Sequence, residues 1–240
     1  MNDPHHHGTM VHNHRDVQGG SARAAVFGMS DGLVSNVALI LGVAAAAVDS
    51  SSVLLAGVAG LLAGAASMAA GEYVSVKAQV ELIERELDIE RKSIRERPAA
   101  EIAELAAIYE ERGVDAEQAN AIATAVMADP EVALEVHARE ELGVDPDSGG
   151  GNPLGAAASS FVAFGFGAIL PLIPWFVTSG TTAVVASILI GLGAAAAVGA
   201  TLAVFTERSK FKTAARQVVL AALACVLTWA IGSVLGATVV

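Results

Sequence analysis

From Ser148 to Thr206 the chain runs for 59 residues without an Asp, Glu, Lys or Arg. A helix or strand on a water-soluble domain has to show solvent a polar face, and a run of this length shows none. Val218–Val240 is a second charge-free run, of 23 residues, and Val53–Ala70 a third, of 18. About 20 apolar residues cross a bilayer as a helix, and a helix satisfies its own backbone polar groups, as lipid demands. Divided at their turn signals, the apolar stretches give five spans: about Ala24–Val48, one starting near Val53 after Asp49-Ser50-Ser51-Ser52, then about Ala156–Val177, Thr181–Phe205 and Val218–Thr238. The expected fold class is all-α, an integral membrane protein with five transmembrane helices. A single soluble globule is excluded.

Net charge adds a second object. The chain carries −11 overall, yet residues 81–147 alone hold 19 acids against 7 bases, a net of −12. The rest is nearly neutral. Such an acidic surface argues against nucleic-acid binding, which needs basic surface. The expected organisation is a polar, histidine-containing tail over 1–20, spans one and two over 21–75, an acidic helical metal-binding insert over 76–147 and spans three to five over 148–240. The tail carries five of the six histidines and lacks the apolar core of a signal peptide. The single cysteine, Cys225, lies in an apolar run, so it reads as a packing residue and no disulfide framework exists.

Direction follows from the basic residues. All 14 fall before span one, between spans two and three, or between spans four and five. The N-terminus and the insert are therefore expected on the cytoplasmic side and the C-terminus outside. Gly60-x-x-x-Gly64 and Gly232-x-x-x-Gly236 have the spacing that allows close helix approach. They are read as packing contacts.

Within the spans the ionisable groups are few. Asp31 lies about a third of the way into span one, where a carboxylate costs about 2.5–3.5 kcal/mol on insertion scales. Ser30, Ser35 and Asn36 surround it in sequence. Glu72 ends span two, with Met68 one turn earlier on the same face. A thioether and carboxylates from two helices make a mixed soft and hard donor set, which suits a divalent transition metal better than Mg²⁺ or Ca²⁺.

The insert reads as four helices. Tyr73 to about Arg97 continues span two and stops at Pro98. Ala99–Arg112 ends at Gly113. A third helix is capped by Asp115, and a fourth opens at Asp129-Pro130-Glu131 and closes at Gly143. Glu101 and Glu104 are i,i+3, and His137 and Glu141 are i,i+4. Both spacings put two ligands on one face. Carboxylates with one imidazole suit Fe²⁺, Mn²⁺ or Zn²⁺. Glu110, Glu111, Glu117 and Glu140 read as solvated surface.

These residues resemble a known family. Ser30-Asp31-Gly32-Leu33-Val34-Ser35-Asn36 is similar to the span-one signature of the vacuolar iron transporters, and Met68-Ala69-Ala70-Gly71-Glu72-Tyr73-Val74-Ser75 to their span-two signature. Glu101 to Tyr109 and His137-Ala138-Arg139-Glu140-Glu141-Leu142-Gly143 resemble the metal-binding domain of the longer members. The resemblance covers about Ser21 to Val240. It implies a homodimer of five-span subunits that moves Fe²⁺ out of the cytosol in exchange for protons. It places transport on Asp31 and Met68 with Glu72 beside them, and metal capture on Glu90, Glu101, Glu104 and Glu141. Two positions depart from the family pattern. Ser93 stands where a Glu is usual three residues after Glu90, and His137 stands where some members have Met.

The function expected from the sequence is export of ferrous iron, with Mn²⁺ as the other ion the same ligands accept and Zn²⁺ a further ion for the insert. The protein is not expected to be an enzyme. The contrasting reading is a membrane-anchored metal-binding or storage protein without transport. The Ala- and Gly-heavy composition and short termini point to a bacterial plasma membrane.

Overall fold

The computed structural model describes residues 20–46, 49–146 and 150–239. The tail histidines, His5, His6, His7, His12 and His14, lie outside the described residues, as do Ala47 and Val48 at the end of the expected first span. The described residues form helices and no strand: α1 Gly20–Ala45, α2 Ser50–Glu96, α3 Pro98–Glu111, α4 Ala116–Val126, α5 Pro130–Glu140, α6 Pro153–Ile169, α7 Ile173–Val177, α8 Gly180–Phe205 and α9 Lys210–Val239. Five stretches are long and apolar enough to cross a membrane: α1, the first part of α2, α6 with α7, α8 and α9. The protein is an all-α, multi-pass integral membrane protein.

Helix α1 stands at the centre, against α2, α6, α8 and α9. Its approach to α6 is backbone on backbone. A Cβ on Gly32 would overlap the Phe164 carbonyl oxygen, and one on Gly167 would overlap that of Met29. Gly232 meets the Gly42 carbonyl oxygen in the same way, and a Cβ on Gly236 would stand 2.6 Å from Ala46 Cα. The glycine pairs read from the sequence are thus packing contacts: Gly232 and Gly236 seat α9 on α1, Gly60 faces Asn36 and Leu39, and Gly64 faces the Phe164 ring. In lipid, helices associate through such close approach rather than through hydrophobic burial. Helix α8 carries a longer small-residue stripe that the glycine pairs alone do not reveal: Ala183, Ser187, Gly191, Ala195, Gly199 and Ala203, all buried at four-residue spacing.

The third span is not one continuous helix, contrary to the sequence expectation. It breaks into a 3₁₀ turn at Leu170–Leu172 between α6 and α7. The cause is Pro171 and Pro174, neither of which can donate a backbone hydrogen bond. Two carbonyls at the break accept from side chains. Asn36 Nδ2 donates to the Ala168 carbonyl at 2.7 Å, and Ser187 Oγ donates to the Pro171 carbonyl at 2.7 Å while accepting from Trp175 Nε1 at 2.9 Å. Such side-chain donors support a broken helix in the membrane.

Helix α2 is 47 residues long, about 70 Å at 1.5 Å per residue. It runs from its Asp49 cap through the membrane-crossing part into the insert without interruption. There α3, α4 and α5 fold against its far end. Leu105, Ala106, Ala119 and Ala123 form one apolar cluster, and Ile94, Ala133 and Leu134 another. Asp115 caps α4 through the Glu117 N–H and Asp129 caps α5 through the Glu131 N–H, each at 3.0 Å. Gly143, at φ +65°, ends α5 while the Val144 N–H reaches back to the Ala138 carbonyl at 3.1 Å, the pattern of a left-handed helix stop.

Gly167→Ala tests the α1–α6 contact. The added methyl meets backbone that cannot move aside, so it should cost about 1–3 kcal/mol and lower the thermal midpoint in detergent. Gly165→Ala, with nothing within 4 Å of the added Cβ, should leave the midpoint unchanged.

Candidate functional site

Two polar clusters interrupt this apolar molecule. In the insert, Glu90 on α2, Glu101 on α3, and His137 and Glu141 at the end of α5 point into one space. One ligand atom from each lies within 4.8 Å of all the others. His137 has no solvent exposure. Its Nδ1 is 2.6 Å from Glu141 Oε1, 3.2 Å from Glu90 Oε1 and 4.0 Å from Glu101 Oε2. The apolar clusters beneath α3 and α5 set this geometry. Burial of Leu105 fixes the rotation of α3 so that Glu101, one turn earlier, faces inward. Burial of Ala133, Leu134 and Ala138 does the same for His137.

The cluster is electrostatically loaded. Burial, followed by repulsion from Glu141, pushes the Glu90 carboxyl up to about 7, against the pull of His137. Burial also raises Glu141, offset in part by its hydrogen bond with His137. Glu101 and Glu104 add like charge to both. Glu90 and Glu141, buried and crowded by like charge, resist ionisation. A divalent cation among them would remove that repulsion, and oxygen donors plus one imidazole form a set that Fe²⁺, Mn²⁺ and Zn²⁺ accept.

Glu104 lies outside this group of four. It is exposed one turn along α3 from Glu101 and acts on the cluster through its charge. Ser93 is buried and accepts from Arg97 Nη2 at 2.9 Å. Glu110, Glu111 and Glu117 are exposed, and Glu140 pairs with Arg112, in keeping with a surface role. Glu90 carries no local signature among the many acids of α2. Only the resemblance singled it out, and its burial depends on α3 and α5 folding back over it.

The second cluster lies within the membrane-crossing part. Asp31, Met68 and Glu72 line one cleft of about 510 Å³ between α1, α2 and α6. Asp31 is exposed into it, while Met68 and Glu72 are half-buried. Met68 packs beside Phe164 and Ala65, which fixes the thioether at the cleft wall. Ser35, Asn36 and Ser67 supply further polar lining. Gly71 on α2 leaves this wall open, with nothing within 4 Å of where a Cβ would stand, whereas Gly60 and Gly64 are covered by Leu39 and Phe164. The structure therefore brings together three residues that the sequence assigned to two different helices.

The family model described as the VIT family matches residues 22–233. Vacuolar iron transporter 1 of Eucalyptus grandis is 34% identical over 207 residues, covering 84% of this chain and 81% of its own length. Vacuolar iron transporter 1 of Arabidopsis thaliana is 35% identical over 201 residues, covering 80% and 78%. Vacuolar iron transporter 1 of Oryza sativa subsp. japonica is 30% identical over 223 residues, covering 92% and 86%. With the match running from the first described span to the last, the chain belongs to the VIT family.

Proposed function

We propose that the protein exports Fe²⁺ from the cytosol by exchange for protons, the insert capturing the ion and the membrane cleft passing it across. One observation carries this reading. The continuous helix α2 holds both the buried Glu90 cluster and the Met68–Glu72 wall of the cleft. Glu72 and Glu90 are 18 residues apart, about 27 Å along the axis. The relatives' names as iron transporters agree with it.

The chemistry proceeds in stages. The net −12 of residues 81–147 concentrates cations near the insert. Glu90, Glu101, His137 and Glu141 bind the ion, with Glu104 adding field from the rim. The ion passes to Met68 and Glu72 and then to Asp31. A carboxylate inside the membrane binds a metal or a proton but not both, which couples the two fluxes. The role is that of a carrier, not an enzyme. The basic residues place the N-terminus and insert in the cytosol and the C-terminus outside. The composition favours a bacterial plasma membrane. We further propose a homodimer, as the family resemblance implies. Mn²⁺ satisfies the same ligands and is the competing cargo.

Purified protein in vesicles with an imposed pH gradient tests the carrier. Asp31→Ala should slow Fe²⁺ uptake tenfold or more, on the order expected for losing the one charged group at that depth. A parental rate in this variant would end the proposal. Running Mn²⁺ and Zn²⁺ alongside ranks the ions. Removing residues 81–145 should leave a slower carrier, whereas a membrane-anchored storage protein would lose all its metal.

The insert has its own test. Glu101→Gln and His137→Ala should each weaken metal binding by about tenfold or more, measured by titration of the full-length protein. Glu104→Gln should weaken it less. Protonation gives a further signature. Glu90 holds its proton to about pH 7 in the fold, against an ordinary value of 4.5. The folded state therefore binds more protons between these values, and its stability falls as pH rises through that window. Hydrogen-exchange protection factors over residues 98–141 of the metal-free protein, each referred to the intrinsic base-catalysed rate at its pH, should be higher at pH 5.5 than at pH 7.5. Added metal should reverse that order, since metal must displace the proton.

A further inference from the structure

Asn36 is buried to 2% exposure in α1, five residues beyond Asp31. Its Nδ2 donates to the Ala168 carbonyl near the end of α6. A carbonyl oxygen only accepts, so this contact settles which way the amide points. The Oδ1 atom then faces away from Ala168, towards Gly60, where an added Cβ would stand 3.0 Å from it. Asn36 lines the same cleft as Asp31, and its Oδ1 is buried without a hydrogen-bond partner. Buried acceptors left in this state are rare in folded proteins and call for an explanation.

Ser35, its neighbour on the cleft wall, is oriented alike. Its hydroxyl donates to the Asp31 carbonyl at 2.6 Å, which leaves lone pairs to face the cleft. Asp31, Ser35 and Asn36 thus offer one charged and two neutral oxygens, with the Ser35 hydroxyl proton and one of the two Asn36 amide N–H groups engaged elsewhere. A carboxylate followed by neutral oxygens is a lining that suits a hard cation.

The register of α1 against α2 gives the order of these groups. Met68 Sδ stands beside Gly28, 3.4 Å from the position of an added Cβ, and Asn36 stands beside Gly60. Moving away from the insert, the cleft presents Glu72, then Met68, then Asp31, then Ser35 and Asn36. Asn36 is about 7.5 Å beyond Asp31 along the helix axis. Leu39 follows at the end of the cleft.

We infer that Asn36 Oδ1, with Ser35 Oγ beside it, forms a neutral-oxygen station for a divalent cation, one step beyond the Asp31 carboxylate. This rests on the transport path proposed above and adds a division of labour to it. The sulfur of Met68 favours softer ions, and the oxygens beyond it favour harder ones. An ion must suit both to cross. Cd²⁺ suits the first and is held back at the second, whereas Fe²⁺ and Mn²⁺ suit both.

Uptake of Fe²⁺, Mn²⁺ and Cd²⁺ into vesicles tests the station, in a Cys225→Ala background so that an introduced thiol is the only one. Asn36→Leu, which keeps the volume and removes the oxygen, should slow Fe²⁺ and Mn²⁺ at least tenfold. Asn36→Cys, which puts a soft donor in its place, should raise the Cd²⁺ to Mn²⁺ uptake ratio at least fivefold. An Asn36→Leu rate within twofold of the parent overturns the proposal. So does an unchanged ratio in Asn36→Cys, because a residue that only braces the Ala168 carbonyl slows every ion alike. If Asn36→Leu does not fold, the Asn36→Cys ratio decides. Asp31→Ala is measured in parallel. If it is slow while the Asn36→Cys ratio is unchanged, only the oxygen station falls. If it transports at the parental rate, the path falls and the station with it.

Discussion

Helices α1 and α6 cross with backbone against backbone, and the placement of every functional group in the membrane depends on that crossing. In water the burial of large side chains would hold two helices together. In lipid that gain is absent, since the surroundings are as apolar as the core. What remains is dispersion at close range and the satisfaction of polar groups. Gly32 and Gly167 supply the first by removing the atoms that would keep the axes apart. Asn36 supplies the second by donating to the Ala168 carbonyl. Together they fix the rotation of α1, and that rotation turns Asp31, Ser35 and Asn36 towards α2. The same rotation leaves Leu33, Val37 and Leu41 buried within the bundle.

Helix α2 carries the design from the membrane into the insert. Its membrane-crossing half is apolar, and its outer half is acidic and salt-bridged at the surface through Lys77–Glu81 and Lys92–Glu96. Such exposed pairs add little stability. Their effect is to keep the rod soluble while α3 and α5 bury only the few carboxylates that face them. The pairing of Ser93 with Arg97 belongs to this economy. A fourth carboxylate beside Glu90 would have raised the repulsion further, and the buried hydroxyl with its guanidinium partner leaves a compact group of three carboxylates and one imidazole.

The spans were legible because the bilayer acts directly on composition: a charge-free run of 59 residues admits few other readings. The insert helices were legible because caps and prolines are local signals. Asp115, Asp129, Pro98 and Gly143 each stand where the chain bends. The break in the third span was visible in principle, since Pro171 and Pro174 lie within it, yet uniform hydrophobicity hid it. Its consequence could not be read locally at all, because the group that answers the broken helix, Asn36, is 132 residues away from Ala168. The candidate site divides in the same way. Spacing paired His137 with Glu141 and Glu101 with Glu104, but spacing alone could not say that Glu101 turns inward and Glu104 outward. That difference depends on Leu105 and Ala106 packing against α4. Glu90 had no local signature, since Glu81, Glu84 and Glu86 look the same in sequence.

The two clusters differ in the way that a carrier requires. Capture from dilute solution calls for a donor set that gains much on binding. The insert has it: three crowded carboxylates, one held protonated to about pH 7, that a cation relieves. Passage calls for the opposite, sites from which an ion can leave. The cleft offers single carboxylates well separated along its wall, with a thioether between them and neutral oxygens beyond. Neutral donors shape the coordination without adding charge, so each station holds the ion loosely. They also cost less to bury than further carboxylates. That difference in cost explains why the path beside its two carboxylates is lined by Met, Ser and Asn rather than by further Asp and Glu.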